Sequence, residues 1–297
     1  MTAWRFFPVE VRALRQLSPT FLRVTFTGDD LDRFADNGFD QRIKLIPPLA
    51  GHGLAHLPTG EDWYAQWCAL PDEHRNPMRT YTVRAVRPAV REVDIDMALH
   101  GATGPASIWA AQVRPGSVAC LMGPSADYDG VHGGLDFRPG ADAAFLFLGG
   151  DESAVPAISS ILERLPGDAR GEAYLEVPTA ADRLDLRAPP GVRVTWLPRE
   201  GTAHGDRLIP AVREATGRLF TDAAGEAAEL EDIDVDVDDL WEVPDPVAGA
   251  GRFYAWLAGE AAVIRTLRRH LVTECGVDRR AVAFMGYWRL GRAETSE

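Results

Sequence analysis

The chain has 297 residues, 46% hydrophobic and 25% charged, with a formal net charge of −13 and three cysteines. That size suits one large domain or two ordinary ones around a sizeable core, and the composition is globular. It excludes a membrane-inserted chain, because no apolar run approaches the ~20 residues of a span, and a cysteine framework for disulfides, zinc or iron–sulfur, because Cys68, Cys120 and Cys275 are isolated.

Met1-Thr2-Ala3-Trp4-Arg5 carries no apolar signal-peptide core, so a cytoplasmic protein with reduced thiols is expected. The first half then reads as β-structure. Alternating or β-branched runs separated by Gly, Pro and Asp predict strands over 5–14, 21–27, 42–46, 80–86, 93–99 and 117–122. Six short strands with one helix near 105–113 predict a small antiparallel barrel. Residues 47–76, rich in Pro, Gly and His, read as a long loop at its mouth.

After Arg138-Pro139-Gly140 the rhythm changes to strand 144–148, helix 153–165, strands 173–177 and 192–197, helix 206–218, strand 253–258, helix 260–274 and strand 282–286. Such alternation predicts an open, mostly parallel sheet with helices on both faces. The expected architecture is therefore β plus α/β: a six-stranded antiparallel barrel over 1–140, then an α/β domain over 141–297. An acidic insertion near 221–247 interrupts the second domain. Between Leu219 and Gly251 there are eleven acids and no Lys or Arg, without which the 31 basic residues face 33 acidic ones. The stretch from Glu226 to Asp245 reads as a solvated insertion or a disordered loop, and it lacks the glycine and closing glutamate of an EF-hand loop. The balanced remainder has no basic patch with interleaved aromatics, so no nucleic-acid partner is expected.

Two neighbouring segments carry chemistry. Arg79-Thr80-Tyr81-Thr82-Val83-Arg84 is a strand that offers a guanidinium to a phosphate and hydroxyls and backbone to a ring system. His100-Gly101-Ala102-Thr103-Gly104-Pro105-Ala106-Ser107 leads into a helix whose first turn tolerates proline and presents free N–H groups to a pyrophosphate. A strand for the ring and a helix start for the phosphates are what a dinucleotide such as FAD needs. With no metal–sulfur framework, electron transfer has to rely on a bound organic cofactor.

The pair R-x-Y-T-x-R and H-G-x-x-G-P-A-S-x-W-A resembles the flavin-binding signature of the siderophore-interacting proteins, ferric-siderophore reductases of the ferredoxin-reductase superfamily. Gly150-Asp151-Glu152-Ser153-Ala154-Val155-Pro156-Ala157-Ile158, Trp256-Leu257-Ala258-Gly259-Glu260 and Tyr287-Trp288-Arg289-Leu290-Gly291-Arg292-Ala293-Glu294 extend the resemblance over nearly the whole chain. It implies an FAD-binding barrel and an NAD(P)H-binding domain, with a hydride taken from NADH or NADPH and single electrons passed to iron(III) in a siderophore. The alternatives are a flavin reductase serving a quinone or protein acceptor, and a flavin- or siderophore-binding protein without turnover.

By resemblance, Arg79 and the turn Gly104, Pro105, Ala106 and Ser107 hold the FAD phosphates. Tyr81, Thr82 and Val83 line the isoalloxazine, with Arg84 on the same strand, while His100 either lies near the flavin or is a loop histidine. Asp151, Glu152, Ser153 and Ala154 stand where a nicotinamide dinucleotide meets a helix start, or the acids cap that helix. Glu176 is placed to accept from a ribose 2′-OH and favour NADH, whereas nearby Arg183 would receive the 2′-phosphate of NADPH. Lys44, the only lysine in the chain, and Arg289 and Arg292 border the iron-complex cavity by resemblance; Lys44 read alone is an edge-strand charge. The family commonly has a basic residue where this chain has Ser125 in Gly123-Pro124-Ser125-Ala126-Asp127. Neutral or weakly charged iron complexes are therefore expected to be relatively good substrates.

Overall fold

The computed structural model describes residues 2–99, 105–220, 240–245 and 252–291. They form two compact units that divide between Gly134 and Leu135, where the sequence rhythm suggests residue 140. Residues 136–138 belong with the second unit because they are tied to one buried tyrosine. The Tyr254 hydroxyl donates to Asp136 O and accepts from Arg138 N, and Phe137 meets the Tyr254 ring edge-on at 5.7 Å.

The first unit is a closed antiparallel barrel of β1 (Trp4–Gln16), β2 (Phe21–Thr27), β3 (Arg42–Ile46), β4 (Arg79–Arg87), β5 (Glu92–Ala98) and β6 (Val118–Pro124) in the order β1-β2-β5-β4-β3-β6. Alternation dictates which side chains fill it: Phe7, Val9 and Val11 of β1 meet Leu22, Val24 and Phe26 of β2 in one apolar core. The segment between β3 and β4 is more than the loop that its composition suggests. It contains the short helix α1 (Trp63–Cys68), and its Trp63, Trp67, Leu54 and Leu57 join Phe6, Ile46, Met78, Cys120 and Met122 in a second apolar cluster. The helix α2 (Pro105–Gln112) sets Ala110 and Trp109 against the barrel core, Trp109 stacking on Phe26 at 6.2 Å.

The second unit is a sheet in the order β10-β12-β11-β7-β8-β9, formed by β7 (Phe145–Gly150), β8 (Arg170–Val177), β9 (Gly191–Pro198), β10 (Trp241–Glu242), β11 (Phe253–Glu260) and β12 (Val282–Trp288). All pairs are parallel except β10 with β12. The helices are α3 (Val155–Arg164), α4 (Leu208–Leu219) and α5 (Ala261–Arg269). Right-handed crossovers fix their sides. The chain moves outward from β7 through α3 to β8, then returns past α4 to β11 and continues through α5 to β12. The two directions place α3 on one face and α4 with α5 on the other, and α4 and α5 do share one core with Phe147, Tyr174, Leu257 and Phe284. The winding reverses between β7 and β11, which makes their carboxyl ends the switch point where ligands of such sheets bind.

Two sequence expectations change here. The helix predicted over 260–274 ends at Arg269 and continues as a π turn, His270–Glu274, in which His270 meets Thr216 Oγ1 at 2.8 Å and Glu274 Oε2 at 2.7 Å. Most of the acidic stretch lies outside the described residues, but its Leu240 is buried and Glu242 of β10 accepts two hydrogen bonds from Arg268, each 2.8 Å. That part is structural, not a solvated insertion. Among the described residues no helix is long and apolar enough to cross a membrane.

Close strand packing generates one prediction. A Cβ on Gly171 of β8 would lie 2.0 Å from Leu146 O of β7. Gly171→Ala therefore forces the backbone of paired strands apart, and denaturant titration is expected to show a loss of about 1–3 kcal/mol, the usual cost of overpacking.

Candidate functional site

In the barrel, strand β4 carries the predicted flavin contacts. Its pairing with β3 sets Lys44 opposite Thr80, Ile43 opposite Tyr81 and Arg42 opposite Thr82. Tyr81 is half-buried against the barrel core, while Thr82 and Val83 are buried. Arg79 is half-buried, and its Nη1 donates to Met78 O at 2.8 Å. A β-bulge between Val83 and Ala85 shifts the register with β5. Beside it, Arg84 Nε lies 3.3 Å from Asp96 Oδ2, a carboxylate that Arg23 also clasps through two bonds of 2.6 and 2.7 Å. Arg84 is thus tied to the barrel wall.

Pro105, Ala106 and Ser107 form the first turn of the eight-residue α2. His100 and Gly104 lie outside the described residues, as does Arg292. The donor chemistry fits FAD. One strand supplies a cation beside hydroxyls and a half-buried aromatic ring, and α2 supplies an amide-rich helix start. Tyr81 and α2 rest on the same core, so a single packed body fixes both.

Lys44 is exposed, and its Nζ donates to Thr80 Oγ1 at 2.8 Å. Ser125, where the family's basic residue is missing, is buried at 3% exposure and its N–H donates to Ala3 O. Asp127 pairs with Arg33.

The second unit concentrates its polar groups at the carboxyl ends of the parallel strands. Asp151, following β7, is buried and accepts four hydrogen bonds: from Ser153 N at 2.9 Å, Ser153 Oγ at 2.5 Å, Glu260 N at 2.7 Å and Trp288 Nε1 at 2.8 Å. It thereby joins the ends of β7, β11 and β12. Burial pushes its carboxyl pKa up, and neighbouring Glu152 pushes the same way. Gly259, at φ +150°, allows this approach, since a Cβ there would lie 2.7 Å from Asp151 Oδ2.

Glu152 faces a different set of partners. Arg199, just past β9, clasps it with bonds of 2.5 and 2.8 Å, and His204 Nε2 lies 3.1 Å from Glu152 Oε1. Burial raises the Glu152 pKa, but the His204 hydrogen bond and the Arg199 pair outweigh it and bring the pKa down to about 2. The same hydrogen bond raises that of His204 above its ordinary 6.5. His204 also meets the Trp288 ring edge-on at 4.7 Å, which links the two carboxylate clusters.

Glu176, read from sequence as a ribose acceptor, is fully buried at the end of β8. Its carboxylate accepts from Gly205 N at 2.8 Å, Arg207 N at 3.1 Å and Leu208 N at 2.8 Å, and Arg199 Nη1 lies 3.4 Å away. It holds the start of α4. Asp151 and Glu152 are likewise engaged inside the protein, and the Ser153 and Ala154 N–H groups are taken by Asp151 Oδ1 and Asp151 O. Arg183 is exposed, and Arg289 is half-buried after β12.

Sequence reasoning missed Arg199 and His204, which sit in a loop without motif or periodicity. The roles of Glu260 and Trp288 were signalled only by the two segments that contain them. Glu260 caps α5, accepting from Val263 N at 3.0 Å.

A closed antiparallel barrel followed by a mostly parallel sheet with a polar switch point is a ferredoxin-reductase-like fold. Residues 10–128 match the family model of the siderophore-interacting FAD-binding domain, and residues 143–291 that of the siderophore-interacting protein. The chain belongs to the siderophore-interacting protein family. It is 38% identical over 290 residues to an uncharacterized protein of Mycobacterium tuberculosis, covering 96% of this chain and 90% of that one. It is 31% identical to the ferric vibriobactin reductase ViuB of Vibrio cholerae over 282 residues, 94% of this chain and 88% of the relative. Among solved structures it is similar to the siderophore-interacting protein SipS of Aeromonas hydrophila, with TM-score 0.69, 30% identity and coverage of 98% and 94% of the two chains. A ferredoxin reductase in carbazole 1,9a-dioxygenase shares the fold alone, at 15% identity and TM-score 0.59 over 96% of this chain and 70% of that one.

Two predictions follow from the carboxylate clusters. Glu176→Gln is expected to lower stability by roughly 1.5–3 kcal/mol, the range for hydrogen bonds to charged groups. Denaturant midpoints check it. The second concerns pH. Glu152, with its lowered pKa, contributes stability that is fully present above the ordinary 4.5 and is lost as pH falls toward about 2. His204, with a raised pKa, contributes stability fully present below 6.5 and lost as pH rises through its folded value. His204→Asn is therefore expected to destabilise the protein more at about pH 5.5 than at about pH 8.5, read by denaturant titration at both.

Proposed function

We propose that this protein is an FAD-dependent oxidoreductase that takes a hydride from NADH or NADPH and reduces iron(III) held by a siderophore, releasing Fe(II). The observation that carries this reading is the joining, in one chain, of the matched FAD-binding barrel and the matched second module, along the length over which it resembles ferric vibriobactin reductase.

When bound, FAD supplies the conversion of a two-electron hydride into single electrons. Each hydride accounts for two ferric complexes reduced and one proton released. The chain's own residues bind and orient. Arg79 and the first-turn amides of α2 neutralise the diphosphate, and Tyr81, Thr82 and Val83 supply the wall for the ring. The switch point at the ends of β7 and β11 receives the nicotinamide nucleotide. Its acids are committed to internal bonds, and hydride transfer needs no general base. Lys44 and Arg289 present positive charge to an anionic iron complex.

The test separates the two half-reactions. The purified protein is expected to release FAD on heating, and Arg79→Ala to weaken flavin affinity by about 1.5–3 kcal/mol, the loss of a charge-assisted hydrogen bond. Anaerobic stopped flow should show flavin reduction by NADH or NADPH, then reoxidation by a ferric siderophore with Fe(II) trapped by ferrozine. Lys44→Ala and Arg289→Ala should slow only the second phase. FMN in place of FAD, or no reduction by either nucleotide, would sink the reading. Reduction without iron turnover would instead favour a flavin reductase with another acceptor.

A further inference from the structure

Three of the chain's seven histidines converge on the segment that joins β3 to β4. The His52 and His56 rings are 5.4 Å apart, His52 and His74 are 5.0 Å apart, and His56 and His74 stack at 4.1 Å between centroids. One nitrogen from each lies within 4.8 Å of those from the other two, and among the described residues no carboxylate or thiol joins the cluster. We propose that His52, His56 and His74 bind one divalent transition-metal ion of the zinc type, stapling the β3–β4 connection. The flavin chemistry above neither uses nor requires this site.

The donor set selects the metal class. Neutral imidazoles suit Zn(II), Cu(II) and Ni(II), whereas Mg(II) and Ca(II) demand oxygen ligands that this cluster does not offer. Three protein nitrogens leave a fourth tetrahedral position for water. Zn–N bonds of about 2.0–2.1 Å set ligand nitrogens about 3.3 Å apart. Closing the cluster from 4.8 Å thus takes side-chain rotation and small loop adjustments.

The backbone that carries the three rings is already tied together. His52 sits between Gly51 and Gly53, at φ +77° and +59°, in a tight turn closed by hydrogen bonds between Leu49 and Gly53 of 2.9 and 2.8 Å. Buried Asn76, two residues past His74, donates to Pro47 O at 3.0 Å and to Gly53 O at 2.9 Å, so the His74 arm is bound to the His52 turn. Asn76 O in turn accepts from Trp67 Nε1 at 2.9 Å. His56 is flanked by Leu54 and Leu57, both packed into the outer apolar cluster. A scaffold fixed independently of the imidazoles lowers the ordering cost of binding. It also explains why the sequence gives no motif: ligands at 52, 56 and 74 meet only when the segment folds onto the wall.

The experiment uses untagged protein, stripped with a chelator, dialysed and titrated with Zn(II) against a chromophoric competitor. One equivalent should bind per chain. His56→Gln and His74→Gln should each weaken binding by more than about tenfold, which outer-sphere partners already command in metal sites. The triple variant H52Q/H56Q/H74Q should lose the equivalent altogether. Far-UV circular dichroism of the stripped variants identifies any that fail to fold, and the wild-type titration does not depend on them. Failure of stripped wild-type protein to take up one equivalent overturns the proposal, as does a folded triple variant that binds as tightly as wild type.

Discussion

A single carboxylate, Asp151, closes the parallel sheet at the point where its winding reverses, and much of the second unit depends on it. Its oxygens collect donors from the turn after β7, from the backbone at the end of β11 and from the Trp288 indole at the end of β12. Each bond constrains a neighbour. The approach to β11 requires a residue without Cβ at Gly259, and the fixed Glu260 backbone then aims its side chain at the start of α5. Burying a carboxylate is costly, and the raised Asp151 pKa records that cost. Four converging donors make the arrangement tolerable and specific, because loss of any one leaves a buried acceptor short.

The same edge contains three further buried acids, Glu152, Glu176 and Glu260; Arg199 and His204 bond to Glu152, and Arg199 also lies 3.4 Å from Glu176. Helix starts also contribute. Glu176 accepts from the amides that open α4, and Glu260 from the first turn of α5, so the positive ends of both helices face these carboxylates. These acids therefore act as scaffold. On the proposed function, a nucleotide would meet the surface that they support, and hydride transfer there would need no protein base.

Periodicity alone located the barrel. β2 and β3 begin and end where alternation places them, because each has one face in the core and the other outside. The α/β order was equally legible, since short apolar runs alternate with amphipathic ones. What escaped the sequence was whatever depends on partners far along the chain. Glu176 has the position of a ribose acceptor, but only the fold shows that α4 begins over it. Arg199 shows no pattern, yet it pairs with an acid 47 residues earlier. Trp241 and Glu242 vanish into an acidic composition although they add an edge strand, and residues 47–76 read as a loop because their apolar anchors Leu54, Trp63 and Trp67 are too widely spaced for either period.

The missing basic residue at Ser125 acquires a physical meaning from the barrel. Ser125 is buried, its N–H and C=O are both bonded, and Phe34 forms a bridge to it. A long cationic side chain there would have to leave the packed position or carry its charge into it. Two residues on, Asp127 pairs with Arg33 and lies 3.9 Å from Arg5, so the local charge is neutralised within the wall. Lys44, by contrast, is exposed on β3 and held by Thr80, with its alkyl stem on the row that pairs with Met122 of β6. A wall with locally balanced charge and one tethered ammonium attracts a highly charged anion less than a basic mouth would, and long-range attraction between exposed charges is further reduced by salt. On the proposed reading, recognition of the iron complex then rests more on apolar and hydrogen-bonding contact than on steering, which favours complexes of low net charge.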